Sequence, residues 1–193
     1  MEEIISRITA KVSLPLGVET GSLIDFETTG IPWREKDAEV ITLGYFYSDQ
    51  VTIIQRLSRS KAPFYEEITK IIEQLPRPFY AYNAEFEQQI IRFELGIEAD
   101  DSDFVDIMLP WRSKAEYERI PWPKLDDLIG EPEDYFFSSG EKVRGSDIPR
   151  LWRAYLVSGS GVTLRKIMEH CVSDVLREIV LYGRYLFLTR NTV

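Results

Sequence analysis

The chain has 193 residues, of which 44% are apolar and 12% aromatic, enough for one sizeable core and inconsistent with disorder. One Cys and one His exclude an internal disulfide, a zinc site built from several Cys or His ligands, and any chemistry that needs two imidazoles. The balance of 23 basic against 32 acidic residues, a net charge of −9, argues against a broad basic footprint for coating duplex nucleic acid and leaves carboxylate chemistry well supplied.

In chain order, Met1-Glu2-Glu3 starts acidic with no long apolar run behind it, so no signal peptide is expected. Residues 1–19 read as an N-terminal extension. Three strands are predicted at Gly21 to Glu27, Val40 to Tyr47 and Val51 to Arg56, with the hairpin-length connection Ser48-Asp49-Gln50 between the last two. They should form an antiparallel meander. Val40 to Tyr47 is also the longest near-apolar run, far short of the roughly 20 residues of a membrane span. With Cys171 alone and no export signal, a reducing cytoplasm is the expected compartment.

Pro63 to Leu75 carries Phe64, Ile68, Ile71, Ile72 and Leu75 at helical spacing, and Pro76 and Pro78 end it. A short strand is expected from Phe79 to Tyr82, a helix from Ala84 to Glu94 stopping near Gly96, and a strand from Phe104 to Met108. Between residues 110 and 146, Pro, Trp, Gly, Asp and Glu crowd together with only a short apolar element around Leu125 to Ile129, which reads as an irregular segment covering one face. Helices return at Ile148 to Leu156, with Pro149 in the first turn, and from about Val162 to Leu188. In the last one Leu164, Ile167, Met168, Cys171, Val175, Ile179 and Tyr182 make one apolar stripe, and His170, Asp174 and Arg177 fall beside it. The pattern is that of one α/β domain with a mixed sheet.

Three clusters could carry chemistry. In Leu23-Ile24-Asp25-Phe26-Glu27-Thr28-Thr29-Gly30 the two acids are two apart on an apolar strand, so they share a face and repel unless a cation sits between them. A divalent metal is the natural cation; two solvated acids at a strand edge is the plainer reading. In Tyr82-Asn83-Ala84-Glu85-Phe86-Glu87 a strand passes into a helix, where Asn83 suits an N-cap and Glu85 and Glu87 suit the positive end of the helix dipole. In Glu169-His170-Cys171-Val172-Ser173-Asp174 the only imidazole and a carboxylate stand four apart on one helix face, a spacing that also serves ordinary surface contacts. A Ser-His-Asp hydrolase is disfavoured, because Gly159-Ser160-Gly161 lies at the entrance to the helix of His170 itself and lacks a strand-to-helix elbow.

The ordered set of D-F-E-T-T-G, Y-N-A-E-F-E and H-C-V-S-D-V resembles the DEDD exonucleases of the ribonuclease-H-like fold. Lys124-Leu125-Asp126-Asp127-Leu128 and the run from Gly145 to Leu156 add a similarity to the small predicted nucleases of the YprB type. The resemblance spans about residues 20 to 185. It implies a mixed five-stranded sheet, three strands antiparallel and two parallel, flanked by helices in a single domain over residues 1–193.

It further implies a 3′–5′ exonuclease in which Asp25, Glu27, Glu87 and Asp174 hold two divalent ions, Mg²⁺ or Mn²⁺, and His170 orients or deprotonates the attacking water. Thr28, Thr29, Ile31 and Asn83 would line the 3′ end of a DNA or RNA strand, single-stranded or short. Trp33, Trp111, Trp122 and Trp152 are candidates for base stacking or, by default, for packing, and Lys142, Arg144, Lys166 and Arg177 are candidate phosphate contacts or ordinary surface charges. Two departures stand out: the family usually has Asp where this chain has the longer Glu87, and His170 precedes Asp174 by three intervening residues, as in the YprB-type group. A catalytically weakened module that binds nucleic acid or protein is the alternative.

Overall fold

The computed structural model describes residues 5–12, 20–130 and 143–190. Among the described residues six strands form one sheet: β1 (Ile5–Lys11), β2 (Ser22–Thr28), β3 (Val40–Tyr47), β4 (Gln50–Arg56), β5 (Phe79–Ala81) and β6 (Phe104–Asp106). Their spatial order is β1-β4-β3-β2-β5-β6, with β1 to β4 antiparallel and β2, β5 and β6 mutually parallel. The expected meander is present, and the tight link between β3 and β4 has positive φ at both Ser48 (52°) and Asp49 (59°), as a two-residue hairpin turn requires.

The expected count of five strands is corrected to six. Part of the N-terminal extension, Ile5–Lys11, pairs with β4 and becomes the edge of the sheet. Its outer residues are largely exposed, so its sequence lacks the apolar alternation that marks the inner strands.

Helices cover both faces. On one face α1 (Ala62–Gln74), α2 (Glu85–Gln89) and the turn that follows it bring Phe64, Ile68, Ile72 and Ile90 against Ile24, Phe26, Leu43 and Ile54. On the other, α5 (Ile148–Ser158) and α6 (Gly161–Arg190) pack on Leu23, Phe46, Val51 and Ile53. All seven residues of the predicted apolar stripe of α6 are buried. The helix expected over Ala84 to Glu94 instead continues α2 as one wider π-type turn over Ile90–Glu94.

The stretch from 110 to 146, expected to be irregular, contains α3 (Leu109–Glu118) and the single turn α4 (Leu125–Leu128). Only Ala115 of α3 is buried, so it carries no apolar stripe to reveal it in the sequence. Residues 131–142 of this segment, Lys142 among them, lie outside the described residues. Among the described residues no helix is long and apolar enough to cross a membrane.

Candidate active site

Alternation along β2 turns Ile24 and Phe26 to the α1 side and leaves Asp25 and Glu27 on the side of α6. Asp25 stands opposite Gly44 of β3, and Glu27 opposite Thr42, before a register shift between Glu27 and Thr28 ends the regular pairing. Gly44 matters for the fit of the helix: a Cβ there would meet the Cys171 Sγ and the Val175 Cγ2 at 2.7 Å. The missing side chain lets α6 descend until Cys171 Sγ donates to Asp25 Oδ2 at 3.4 Å.

That approach places His170 Nε2 3.7 Å from Glu27 Oε1 and 3.6 Å from Asp174 Oδ2. Glu27, His170 and Asp174 offer ligand atoms within 4.8 Å of one another, as do Asp25, Glu27 and Cys171. Glu87 reaches the cluster from α2 and is buried, whereas Glu85 is exposed. Both stand in the first turn of α2, as expected for the positive end of the helix dipole. Asn83 does not cap α2, because the cap position is Ala84 and no side-chain cap bond forms; Asn83 instead takes a left-handed conformation (φ 60°) at the turn.

Burial and mutual repulsion dominate the electrostatics. Asp25 is pushed up to about 7, first by burial and then by Asp174, against the lowering effect of the Cys171 hydrogen bond. Glu27 is held well above its ordinary value by burial and by Asp25, Asp174 and Glu87. Burial and Asp25 do the same to Glu87, partly offset by the backbone N–H groups of Glu87 and Phe26. Burial also raises Asp174, in spite of His170 and Arg177.

Two residues of α6 join the set that sequence reasoning had not placed there. Glu178 is buried one turn beyond Asp174, accepts the Tyr82 N–H at 2.9 Å, and is raised by burial and by Asp25, Glu87 and Asp174. The signal for it was available, since residues 170, 174 and 178 follow one another at intervals of four along a helix. Arg177, placed by the sequence beside the apolar stripe with His170 and Asp174 and read as a candidate phosphate contact or surface charge, is buried and holds Asp174 Oδ1 at 2.8 Å and Asp126 Oδ1 of α4 at 3.0 Å through Nη1.

These groups open into a cleft of about 970 Å³ whose lining includes Asp25, Asn83, His170, Asp174, Arg177 and Glu178, roofed by Trp122 to Asp127 and Val143 to Ser146. Thr28, Thr29 and Ile31 are not among its lining residues. The Thr28 hydroxyl donates to Gly30 O, the Thr29 hydroxyl accepts from Glu39 N at 2.9 Å, and Ile31 N donates to Glu35 Oε1 at 3.0 Å, so all three shape the loop after β2. Of the tryptophans, Trp152 is core, with the Arg56 guanidinium 5.3 Å from its ring, and Trp122 is a half-exposed part of the cleft wall. Arg144 lines the cleft and Lys166 does not.

The donor set suits hard divalent cations. Buried carboxylates from β2, α2 and α6 face one another, and Glu87 Oε2 and Glu178 Oε2 have no hydrogen-bond partner. A family model described as RNase_H_2, of the RNase H superfamily, matches residues 23–185, most of the chain and a span that contains every carboxylate of this cluster. No curated protein and no solved structure matches the chain.

Proposed function

The chain belongs to the ribonuclease H superfamily, and on that footing we propose that it is a metal-dependent 3′–5′ exonuclease acting on DNA or RNA in the cytoplasm. One observation carries the reading: carboxylates from three separate elements act on one another, with Asp25 and Asp174 lining a cleft that also holds the only imidazole of the chain and Glu27 and Glu87 buried beside them. Bound there, Mg²⁺ or Mn²⁺ ions would activate a water and offset the charge that builds on the phosphate and the departing oxygen.

The protein's own residues supply the rest. Asp25 and Glu27, fixed on a central strand, set where the scissile phosphate stops. His170, between Glu27 and Asp174, accepts the proton of the attacking water through Nε2. The water oxygen bonds to phosphorus as the bond from phosphorus to the 3′ oxygen breaks. The terminal nucleotide leaves with a 5′-phosphate, and the shortened strand keeps a 3′-hydroxyl after its oxygen takes up a proton from solvent. Asn83, which lines the cleft, would flank the terminal nucleotide. Trp122, 52% exposed with Arg112 5.2 Å from its ring, would stack a base, and Arg144 would meet a phosphate. A cleft of about 970 Å³ has room for a few nucleotides of single strand.

The test uses a single-stranded oligonucleotide labelled at its 5′ end, a circular strand of the same composition, and Mn²⁺. Stepwise shortening of the linear strand, no cutting of the circle, and no activity in Asp25→Asn are expected. Cutting of the circle, or equal degradation by Asp25→Asn, rejects the proposal. The bond from Arg177 to Asp174 favours a second reading, a nucleic-acid or protein binding module with weakened catalysis. Retention of the oligonucleotide without product would support it.

A further inference from the structure

Glu178 has no place in the three acidic motifs, yet its surroundings are those of a ligand. It lines the cleft, is 3% exposed, and comes from the same helix line as His170 and Asp174. Its Oε1 is fixed by the Tyr82 N–H at 2.9 Å, which leaves Oε2 buried and without a partner. Glu87 Oε2, from α2, is in the same condition.

The carboxylates that act most strongly on Glu178 are Asp25 and Glu87, ahead of Asp174. Neither Glu87 nor Glu178 belongs to the two groups of ligand atoms that gather within 4.8 Å, which are Asp25, Glu27, Cys171 and Glu27, His170, Asp174. Asp25 is thus common to the first of those groups and to the surroundings of Glu178, whose unmet Oε2 and that of Glu87 stand outside both groups. An unmet buried carboxylate oxygen costs free energy that one cation between two of them would offset.

We infer that Glu178 is a further metal ligand, holding with Glu87 and Asp25 the second of two divalent ions. The inference rests on the metal-dependent nuclease reading. It also bears on the extra methylene of Glu87, since a second carboxylate from α6 would complete a coordination sphere that Glu87 enters from α2.

Glu178→Gln separates this role from a purely structural one. The Gln carbonyl still accepts the Tyr82 N–H, so the turn between β5 and α2 stays docked on α6, while the charge is gone. The full chain, without nucleic acid, is titrated with Mn²⁺ and free ion is followed by electron paramagnetic resonance. Expected are two ions bound by the wild type, none by Asp25→Asn, and in Glu178→Gln either one ion or a second site weakened at least tenfold. The metal-free Tm of Glu178→Gln should equal or exceed that of the wild type. Glu178→Asp, which keeps the charge, should recover part of the second site. Two ions bound by Glu178→Gln at wild-type affinity overturn this inference and leave the nuclease reading standing. No ion bound by the wild type overturns both.

Discussion

Asp25 Oδ2 accepts from the Cys171 thiol at 3.4 Å, so the shared carboxylate of the site rests on a neutral donor supplied by the helix that also carries His170. Burial and the surrounding carboxylates push Cys171 well above the ordinary thiol range, which keeps it protonated and able to donate.

Removing that donor should act on metal binding through the proton. The thiol hydrogen bond lowers the pKa of Asp25 from what burial and Asp174 would otherwise impose, so Cys171→Ala should raise it above about 7. Mn²⁺ then competes with a tighter proton. We expect affinity at pH 7 to fall a few-fold in Cys171→Ala and to approach that of the wild type at pH 8.5. A deficit of the same size at both pH values would count against a protonic cause and point to altered packing.

The metal-free protein should be more stable in mild acid. Asp25 ionises at about 7 in the folded chain and near 3.8 in the unfolded one, so the folded state holds more protons between those values. Stability is therefore greatest at the acidic end of that window and is lost as pH rises through about 7. Glu27, Glu87, Asp174 and Glu178, all raised, act in the same direction. Thermal melting in EDTA should give a higher Tm at pH 5.5 than at pH 8, and Glu27→Gln should narrow the gap, raising stability at pH 8 by roughly 1–3 kcal/mol while abolishing activity. A Tm that climbs from pH 5.5 to pH 8 would refute the claim that these acids are desolvated.

Arg177 is the cation that this arrangement already contains. Its guanidinium joins Asp174 of α6 to Asp126 of α4, so it fixes one member of the site and anchors part of the roof. Arg177→Met should lower stability by about 3 kcal/mol in urea denaturation, because buried carboxylates lose their counter-charge. Asp126 is partly exposed, and its share of the coupling should be only about 1 kcal/mol in a double-mutant cycle with Asp126→Asn. Strict additivity would mean that the contact between the two contributes nothing.

The face shared by Asp25 and Glu27 was legible because a strand alternates with period two, and the pairing of His170 with Asp174 because a helix repeats every four residues. The stripe on α6 followed from the same rule. Two elements that stayed hidden lacked such a signature, and Glu178 had the spacing but nothing in the sequence to show its burial. β1 is an edge strand with little to bury, and α3 buries one alanine. Glu178 lies on the line of His170 and Asp174, but it precedes no turn and belongs to no motif. Its burial depends on the turn between β5 and α2 folding over it, which only the tertiary structure contains.

Gly44 should be the least replaceable residue of β3. A Cβ there would stand 2.7 Å from both Cys171 Sγ and Val175 Cγ2, closer than packed atoms allow. Gly44→Ala should cost roughly 1–3 kcal/mol and lift His170 away from Glu27, with a matching loss of activity. Adding Cys171→Ala to Gly44→Ala should restore part of the stability by vacating the sulfur. A single variant with an unchanged urea midpoint would show that α6 is not held down at this point.

His170, Asp174 and Glu178 ride on one continuous helix, so their relative phase depends only on how many residues separate them. Inserting or deleting one residue between 170 and 178 would swing the later groups by about 100° around the axis, carrying them out of the cleft and turning Ile179 and Tyr182 of the apolar stripe off the core. Substitutions on the outward side, at exposed Val162, Val180 or Phe187, leave that phase intact. Sequence change in this helix is therefore constrained first by length and only then by identity: relatives that keep the spacing can exchange the chemistry at each position, whereas those that lose it lose all the groups beyond the break together.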